Sequence, residues 1–229
     1  IQAEPLLVEQ YGEVYAARTM RQMAGVKLAL GNPSEAVRLA RQALAMCEHA
    51  AEQEYIAQRA RLSLGAVLIG QGDVDEARTH LNSALVGFDL LFGKGSLEAA
   101  ATLVQLAWLE LEAGNGAQGK ANAESALQIR TSLLAPQHPE VLEAQALVTL
   151  LSAKDSADYF DQLNLAFETM ERAFGPDHRE SLRILRTAVK VAEAAGDSHS
   201  TRRFTDTLSV LEERRRARLK SSDTAHTDW

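Results

Sequence analysis

Apolar residues recur along this chain three and four positions apart, which is the spacing of amphipathic helices. Leu64 with Leu68, and Leu103 with Leu106, are examples of this spacing. No run alternates convincingly between apolar and polar residues with enrichment in Val, Ile and Thr, so strands are not expected. The pattern predicts an all-α protein.

The helical pattern repeats, and three segments share one design. Each contains a helical run, a glycine turn and a second run that ends in Ala-Leu. Small residues stand at fixed distances from the glycine, because two helices packed about 8–10 Å apart need Ala or Gly where their axes approach. Glycine suits the left-handed conformation at a helix end. The segments are residues 28–44, 68–85 and 109–127, with turn glycines Gly31, Gly72 and Gly114.

Two further units are more degenerate, with Lys154 and Gly196 at the turn position. Similar turns between units lie at residues 92–96, 135–140 and 175–180. Together these features predict about five antiparallel helix pairs in a single domain of residues 1–220, with a basic helix end and a flexible tail at 213–229. The predicted units span about residues 15–52, 53–94, 95–136, 137–176 and 177–212.

The small residues before each glycine turn, the segment GDVDEA (72–77) and the closing Ala-Leu resemble tetratricopeptide repeats. The step near 42 residues, with LAPQHPE and FGPDHRE between units, is similar to the longer repeats of kinesin light chains and many bacterial signalling proteins. The resemblance covers about residues 15–210 and departs from the family at Gly119 and Lys154. It implies a right-handed α-solenoid whose first helices line a concave groove. It also implies binding of a peptide or protein, without catalysis.

By the family geometry, one stripe of residues on the first helix of each unit lines the groove. Taken along the chain, these stripes are apolar in the middle units and basic in the first and last units. An exposed apolar patch often marks an interaction site. We therefore expect a partner with apolar anchors and acidic flanks, lying against Trp108, Val104 and Leu62. The alternative is that superhelical curvature buries much of the stripe. The predicted groove residues are Arg18, Arg21, Arg59, Leu62, Ile69, Val104, Trp108, Leu111, Val148, Arg183, Arg186 and Lys190.

A polar residue recurs nine positions before the turns, and Gln22, Gln105 and Gln145 are the amides in this set. An amide both donates and accepts hydrogen bonds, which suits it to clamp a peptide backbone. Kinesin light chains carry asparagines in the comparable region, so the glutamines look like a variant of that ladder. The alternative is a set of polar positions beside ordinary helices.

Charge and composition exclude several classes of function. The chain carries 24 Lys and Arg against 31 Asp and Glu, and this acidic excess argues against general nucleic-acid binding. The basic run at residues 212–220 is interpreted as a solvated final helix. The single cysteine, Cys47, excludes an internal disulfide and fits a cytoplasmic protein. No stretch of about 18 apolar residues predicts a membrane span.

The candidate catalytic and cofactor motifs lack the structural surroundings or the residue spacing that their chemistry requires. Residues 114–119 match G-x-G-x-x-G, but the segment joins two helices, whereas a dinucleotide loop follows a strand. The six histidines lack metal-binding spacing, and His138 and His178 occupy equivalent turns, which favours a structural role. Cys47 is interpreted as a core residue. We therefore expect no enzyme activity, metal or cofactor.

Three functional interpretations follow. The first is a non-catalytic protein-interaction module that binds a peptide or partner protein in a helical groove. The second is a regulatory or sensor arm of a larger bacterial signalling protein, such as a kinase or transcription regulator, which the start at Ile1 rather than Met makes plausible. The third is a homo-oligomer in which the groove or the open ends bury another copy.

Overall fold

The computed structural model describes residues 3–47, 54–153, 158–194 and 196–224. All regular structure in these ranges is helical, which confirms the predicted all-α class. None of the described helices combines the length and apolarity needed to cross a lipid bilayer. The helices are α1 (Ala3–Ala29), α2 (Pro33–Cys47), α3 (Glu54–Gln71), α4 (Val74–Phe92), α5 (Leu97–Glu112), α6 (Gly116–Leu133), α7 (Pro139–Ala153), α8 (Tyr159–Phe174), α9 (Arg179–Ala194) and α10 (Ser198–Thr224).

The helices fall into two compact units. Unit 1 is Ile1–Asn115 and contains α1 to α5, whereas unit 2 is Gly116–Trp229 and contains α6 to α10. In unit 1, α1 packs on α2 and α3 packs on α4, and in unit 2, α7 packs on α8 and α9 on α10. The boundary between units lies inside the predicted third repeat. The single domain of residues 1–220 and the right-handed superhelix stay predictions.

Four of the predicted turns share one hydrogen-bonding pattern. Gly31, Gly72, Gly114 and Gly196 have φ values between 70° and 91°. Each is followed by a residue whose backbone N–H donates to the carbonyl five residues earlier, which is the Schellman motif that ends a helix. The predicted turn at Lys154 lies outside the described residues. The four backbone hydrogen bonds that span five residues run from the N–H of the first residue to the carbonyl oxygen of the second: Asn32 to Lys27 (2.9 Å), Asp73 to Leu68 (3.1 Å), Asn115 to Glu110 (2.8 Å) and Asp197 to Ala192 (3.0 Å).

In each turn between units, a side chain caps the start of the helix that follows. Ser96 Oγ accepts a hydrogen bond from the Ala99 N–H at 3.1 Å, at the start of α5. His138 and His178 take the equivalent place before α7 and α9, where each Nδ1 accepts the N–H of the residue two positions later, at 3.3 and 3.4 Å. Both histidines therefore cap helices, and this is the kind of structural role that their recurrence in equivalent turns favoured.

Close approach of α3 and α4 explains one of the small residues. A Cβ added at Gly65 would lie 2.6 Å from Leu81 Cγ and 3.3 Å from the Ala77 carbonyl oxygen. Leu81 and Ala77 are themselves fully buried. Glycine is required at this position because the facing helix leaves no space for a methyl group.

The core of unit 1 includes Ala24, Leu64, Leu68 and Leu106. Met23, next to Ala24 on α1, is 44% exposed. The neighbouring Ala24 takes the buried place, because one helical position turns the side chain by about 100° and only one of the two can point inward.

Glu110 on α5 is a buried charged residue. Its carboxylate is buried and accepts hydrogen bonds from Arg78 Nε at 2.9 Å and from Asn115 Nδ2 at 2.7 Å. The bond from Arg78 is the main cause that holds the pKa of Glu110 below its usual value, against the opposing effect of burial. This ion pair ties α4 to α5 within unit 1.

Unit 2 also contains a buried charge with partners on a neighbouring helix, here the cation of Arg130 on α6. Its Nη1 donates to the Glu140 carbonyl oxygen at 2.6 Å and to Glu143 Oε2 at 2.8 Å, both on α7. Burial raises the pKa of Glu143, and Arg130 opposes this effect. The pairing keeps a charge in the interior, where an unpaired guanidinium would be strongly destabilising.

The last helix extends beyond the predicted end of the fifth unit at residue 212 and continues to Thr224. Arg215 Nη1 donates to the Asp177 carbonyl oxygen at 3.0 Å, and Arg218 pairs with the Asp177 carboxylate at 3.3 Å. These contacts fix the basic segment against the turn before α9. The flexible tail stays a prediction, and residues 225–229 lie outside the described ranges.

Replacing Gly65 with Ala should lower the free energy of unfolding by about 1–3 kcal/mol, because the added methyl group overpacks the contact with Leu81. Urea unfolding followed by circular dichroism measures this change. Gly25→Ala is the matched control, since a Cβ there meets nothing within 4 Å, and it should stabilise the helix by up to about 1 kcal/mol. Equal effects of the two substitutions would contradict the packing argument.

The cap at His178 should make stability depend on pH. Burial is the main cause that lowers the pKa of His178 below 6.5, so the fold favours the neutral imidazole whose Nδ1 can accept a hydrogen bond. The stabilisation is therefore complete above about pH 6.5 and is lost as the pH falls through the lowered pKa. The stability advantage of wild type over His178→Asn should shrink between about pH 7.5 and about pH 5. An unchanged difference in urea unfolding would disprove a titrating cap.

Candidate protein-binding cleft

The predicted groove residues lie on the first helix of each pair, as the repeat register requires, and each unit carries its own part. Unit 1 holds ten of them and unit 2 holds five. They are Arg18, Arg21 and Gln22 on α1, Arg59, Leu62 and Ile69 on α3, Val104, Gln105, Trp108 and Leu111 on α5, Gln145 and Val148 on α7, and Arg183, Arg186 and Lys190 on α9.

Three of these residues meet in one cleft of unit 1. Arg18, Arg21 and Arg59 line a cavity of about 460 Å³ between α1 and α3. Arg18 and Arg21 are three positions apart on α1, so they share a face of that helix. Tyr15 and Tyr55 complete the polar lining. We call this cavity the arginine cleft.

The arginine cleft brings three positive charges together. Burial lowers the pKa of the half-buried Arg21, and the nearby charges of Arg59 and Arg18 lower it further. In the part of the chain that the structure describes, no carboxylate pairs with any of the three arginines. Other arginines of unit 1 do have partners: Arg38 binds Glu35 and Arg41 binds Glu76, each at 2.7 Å. Arg18 and Arg59 therefore repel the charge of Arg21, and an anion bound among the three would relieve this repulsion.

Aromatic side chains continue the surface beside the cleft. The ring of Tyr55 lies edge-on to those of Phe88 and Phe92, with centroids 6.2 and 5.6 Å apart. Phe88 is buried, but Tyr55 is 41% and Phe92 52% exposed. Exposed aromatic rings are typical anchor points of protein interfaces.

The tyrosines of the cleft were missed by the sequence analysis. Tyr15 precedes Arg18 by three positions, and Tyr55 precedes Arg59 by four, so each shares a helix face with its arginine. Extending the groove stripe by one turn towards each helix start would have found both residues.

The prediction of an exposed apolar centre in the groove is wrong for three residues. Trp108 and Val104 are each 1% exposed and Ile69 is 7% exposed, so none can anchor a partner in this conformation. Ile69 belongs to the core of unit 1, and Leu62 packs against that core while partly exposed. Burying such large apolar side chains stabilises the fold, by roughly 1.5–3 kcal/mol for an Ile. The alternative interpretation, that packing buries much of this stripe, holds here.

The glutamines do not share one environment. Gln22 and Gln145 are exposed, whereas Gln105 is half-buried. The Oε1 atom of Gln105 is buried and, among the described residues, accepts no hydrogen bond. A role of these amides in holding a peptide backbone stays a prediction.

The basic stretch predicted on α9 differs from the arginine cleft, because two of its members are paired within unit 2. Arg186 Nη2 lies 2.8 Å from Glu212 Oε1 on α10, and Arg183 lies 3.9 Å from Glu180. Lys190 is exposed. Both guanidinium groups therefore form ion pairs with carboxylates of the same unit. Across the described ranges, no group of three His, Cys, Asp or Glu side chains is placed to hold a metal ion.

Comparison with known proteins identifies the repeat. Residues 16–54 and residues 57–118 each match a family model of the tetratricopeptide repeat. The comparison with curated proteins gives no significant match. Residues 16–54 and 57–118 therefore contain tetratricopeptide repeats, as the glycine turns and small residues indicated.

Solved structures extend the likeness in fold to most of the chain. A putative kinesin light chain with nearly identical TPR-like repeats from Podosopora anserina is 17% identical, with 86% of this chain and 95% of that chain covered and a TM-score of 0.56. BtubC (BKLC) from P. vanneervenii is 15% identical, covering 93% and 92%, with a TM-score of 0.52. A Rap protein complexed with Competence and Sporulation Factor is 13% identical, covering 90% and 66%, with a TM-score of 0.67. The fold is therefore an α-solenoid of the kinesin-light-chain type, and such repeats form protein-interaction modules.

Replacing Arg21 with Gln should leave stability unchanged or raise it by less than about 1 kcal/mol, because it removes a half-buried charge that Arg18 and Arg59 repel. Thermal unfolding at low ionic strength measures this. Arg78→Gln is the contrasting variant and should destabilise the protein, since it leaves the buried carboxylate of Glu110 without its guanidinium. A clear loss of stability in Arg21→Gln would show that an intramolecular partner holds this arginine.

Proposed function

We propose that this protein is a non-catalytic interaction module that binds an acidic, partly apolar segment of a partner protein at the arginine cleft. The observation that carries the proposal is the convergence of Arg18, Arg21 and Arg59 in one cleft without a carboxylate partner among the described residues. Acidic side chains of a partner would supply the missing charge. Such complementary charge sets orientation and raises the association rate.

The apolar part of the partner has a different contact surface from the one that the sequence suggested. Tyr55 and Phe92 offer exposed aromatic area next to the cleft, in place of the buried Trp108. Leucine or another large apolar residue of the partner would pack there, while acidic residues on either side reach the arginines.

The neighbouring structures support a binding role in general terms. The Rap protein that shares this fold is complexed with Competence and Sporulation Factor. By analogy, the present chain would use its repeats to hold a ligand rather than to transform one. A place in signalling, and the cytoplasmic location suggested by the buried Cys47, are part of this proposal.

The test uses a fluorescein-labelled peptide in which two leucines are flanked by aspartates, with a control peptide that has asparagine at each aspartate position. Fluorescence anisotropy should show at least about tenfold tighter binding of the acidic peptide, equivalent to about 1.4 kcal/mol. Added salt should reduce the difference, because exposed charges are screened within about 10 Å at 0.1 M.

Arg59→Gln should lower the affinity for the acidic peptide by about fivefold or more, since it removes one of the charge-assisted hydrogen bonds. Arg41→Gln is the matched control: Arg41 pairs with Glu76 and does not line the cleft. Equal affinity for the acidic and neutral peptides, or equal losses in the two variants, would refute the proposed site.

A further inference from the structure

The positive charge of the arginine cleft is larger than one carboxylate can balance. Three guanidinium groups line a cavity of about 460 Å³, and no described carboxylate pairs with them. One aspartate or glutamate brings a single negative charge. A phosphorylated side chain brings about −1.5 to −2 charges at neutral pH in a group of similar size.

The arrangement of the arginines also favours a three-dimensional anion. Arg18 and Arg21 come from α1 and Arg59 from α3, so the arginines line the cleft from two helices. A carboxylate is planar and presents two oxygens, which one or two arginine forks satisfy. A phosphoryl group presents three strong acceptor oxygens in a tetrahedral array, so three separate donors can bind it together.

The rest of the lining indicates what carries the anion. Tyr15 and Tyr55 add phenol groups that can donate hydrogen bonds to phosphate oxygens. Tyr55 also contacts Phe92, so the polar cleft opens directly onto exposed aromatic surface. A small anion such as inorganic phosphate would leave that surface unused, whereas a peptide would cover both parts. Cavities of this volume are within the usual range for ligand sites.

We infer that the arginine cleft recognises a phosphorylated serine or threonine in the partner segment, with an apolar residue of the same segment packed on Tyr55 and Phe92. This inference rests on the proposed function, because it specifies the acidic group of the partner that the module binds. Phosphorylation of the partner would then switch the interaction on.

The experiment compares three labelled peptides of one sequence, with phosphoserine, glutamate or serine at the central position and leucines beside it. Anisotropy should give at least about tenfold tighter binding for phosphoserine than for glutamate, and the weakest binding for serine. Tighter or equal binding of the glutamate peptide would overturn the inference but leave the proposed function standing. Equal binding of all three peptides, or binding of none, would overturn both.

Two protein variants test the geometry. Arg21→Lys keeps the charge but loses the planar fork, so it should reduce the preference for phosphoserine over glutamate by about fivefold or more. Arg38→Gln is the control, since Arg38 is exposed, pairs with Glu35 and lies outside the cleft lining. An unchanged preference in Arg21→Lys, or an equal loss in Arg38→Gln, would contradict recognition by the cleft.

A competition arm separates the peptide from a free anion. Inorganic phosphate and adenosine monophosphate should displace the phosphoserine peptide only at concentrations at least about a hundredfold above its Kd, because neither reaches the aromatic surface as a peptide does. Displacement by either compound near the Kd of the peptide would show a small-anion site and overturn the inference.

Discussion

Paired helices in this protein pack so closely that a single methyl group decides whether they fit. At Gly65 the side chain of Leu81 and the carbonyl oxygen of Ala77 already occupy the space of a Cβ. The glycine turns at the helix ends bring the second helix back along the first, and small residues then let the two axes approach. In unit 1 this close approach brings α4 against α3, the helix that also carries Tyr55 and Arg59 of the cleft.

The charges of the molecule fall into two classes that the packing separates. Buried or bridging arginines such as Arg78 and Arg130 have carboxylate partners on a neighbouring helix, and these pairs connect the helices of each unit. The arginines of the cleft have no such partner among the described residues. A group that repels its neighbours in the unbound protein contributes more when a ligand neutralises it, because binding then also relieves the repulsion. The contrast is the main structural reason for assigning a binding role to the cleft.

The sequence predicted the fold better than the site. Helical spacing and the recurrence of Gly31, Gly72 and Gly114 were enough for the helix pairs, because a left-handed residue at a helix end is a local requirement. The basic positions Arg18, Arg21 and Arg59 were also found from helical register. Trp108 was misassigned because periodicity gives the direction of a side chain but not how fully neighbouring helices cover it. The buried pair of Glu110 with Arg78 could not be predicted, because the two residues are 32 positions apart in the chain and no local pattern reveals the contact.

The arginine cleft needs only the first three helices, and within unit 1 each of these packs on its neighbours along the chain. Contacts between segments close in sequence form quickly, since little chain entropy is lost in bringing them together. Because α1 to α3 precede unit 2 in the chain, they leave the ribosome before unit 2 does. The arginine cleft can therefore form before unit 2 is complete, and a nascent chain could already carry it.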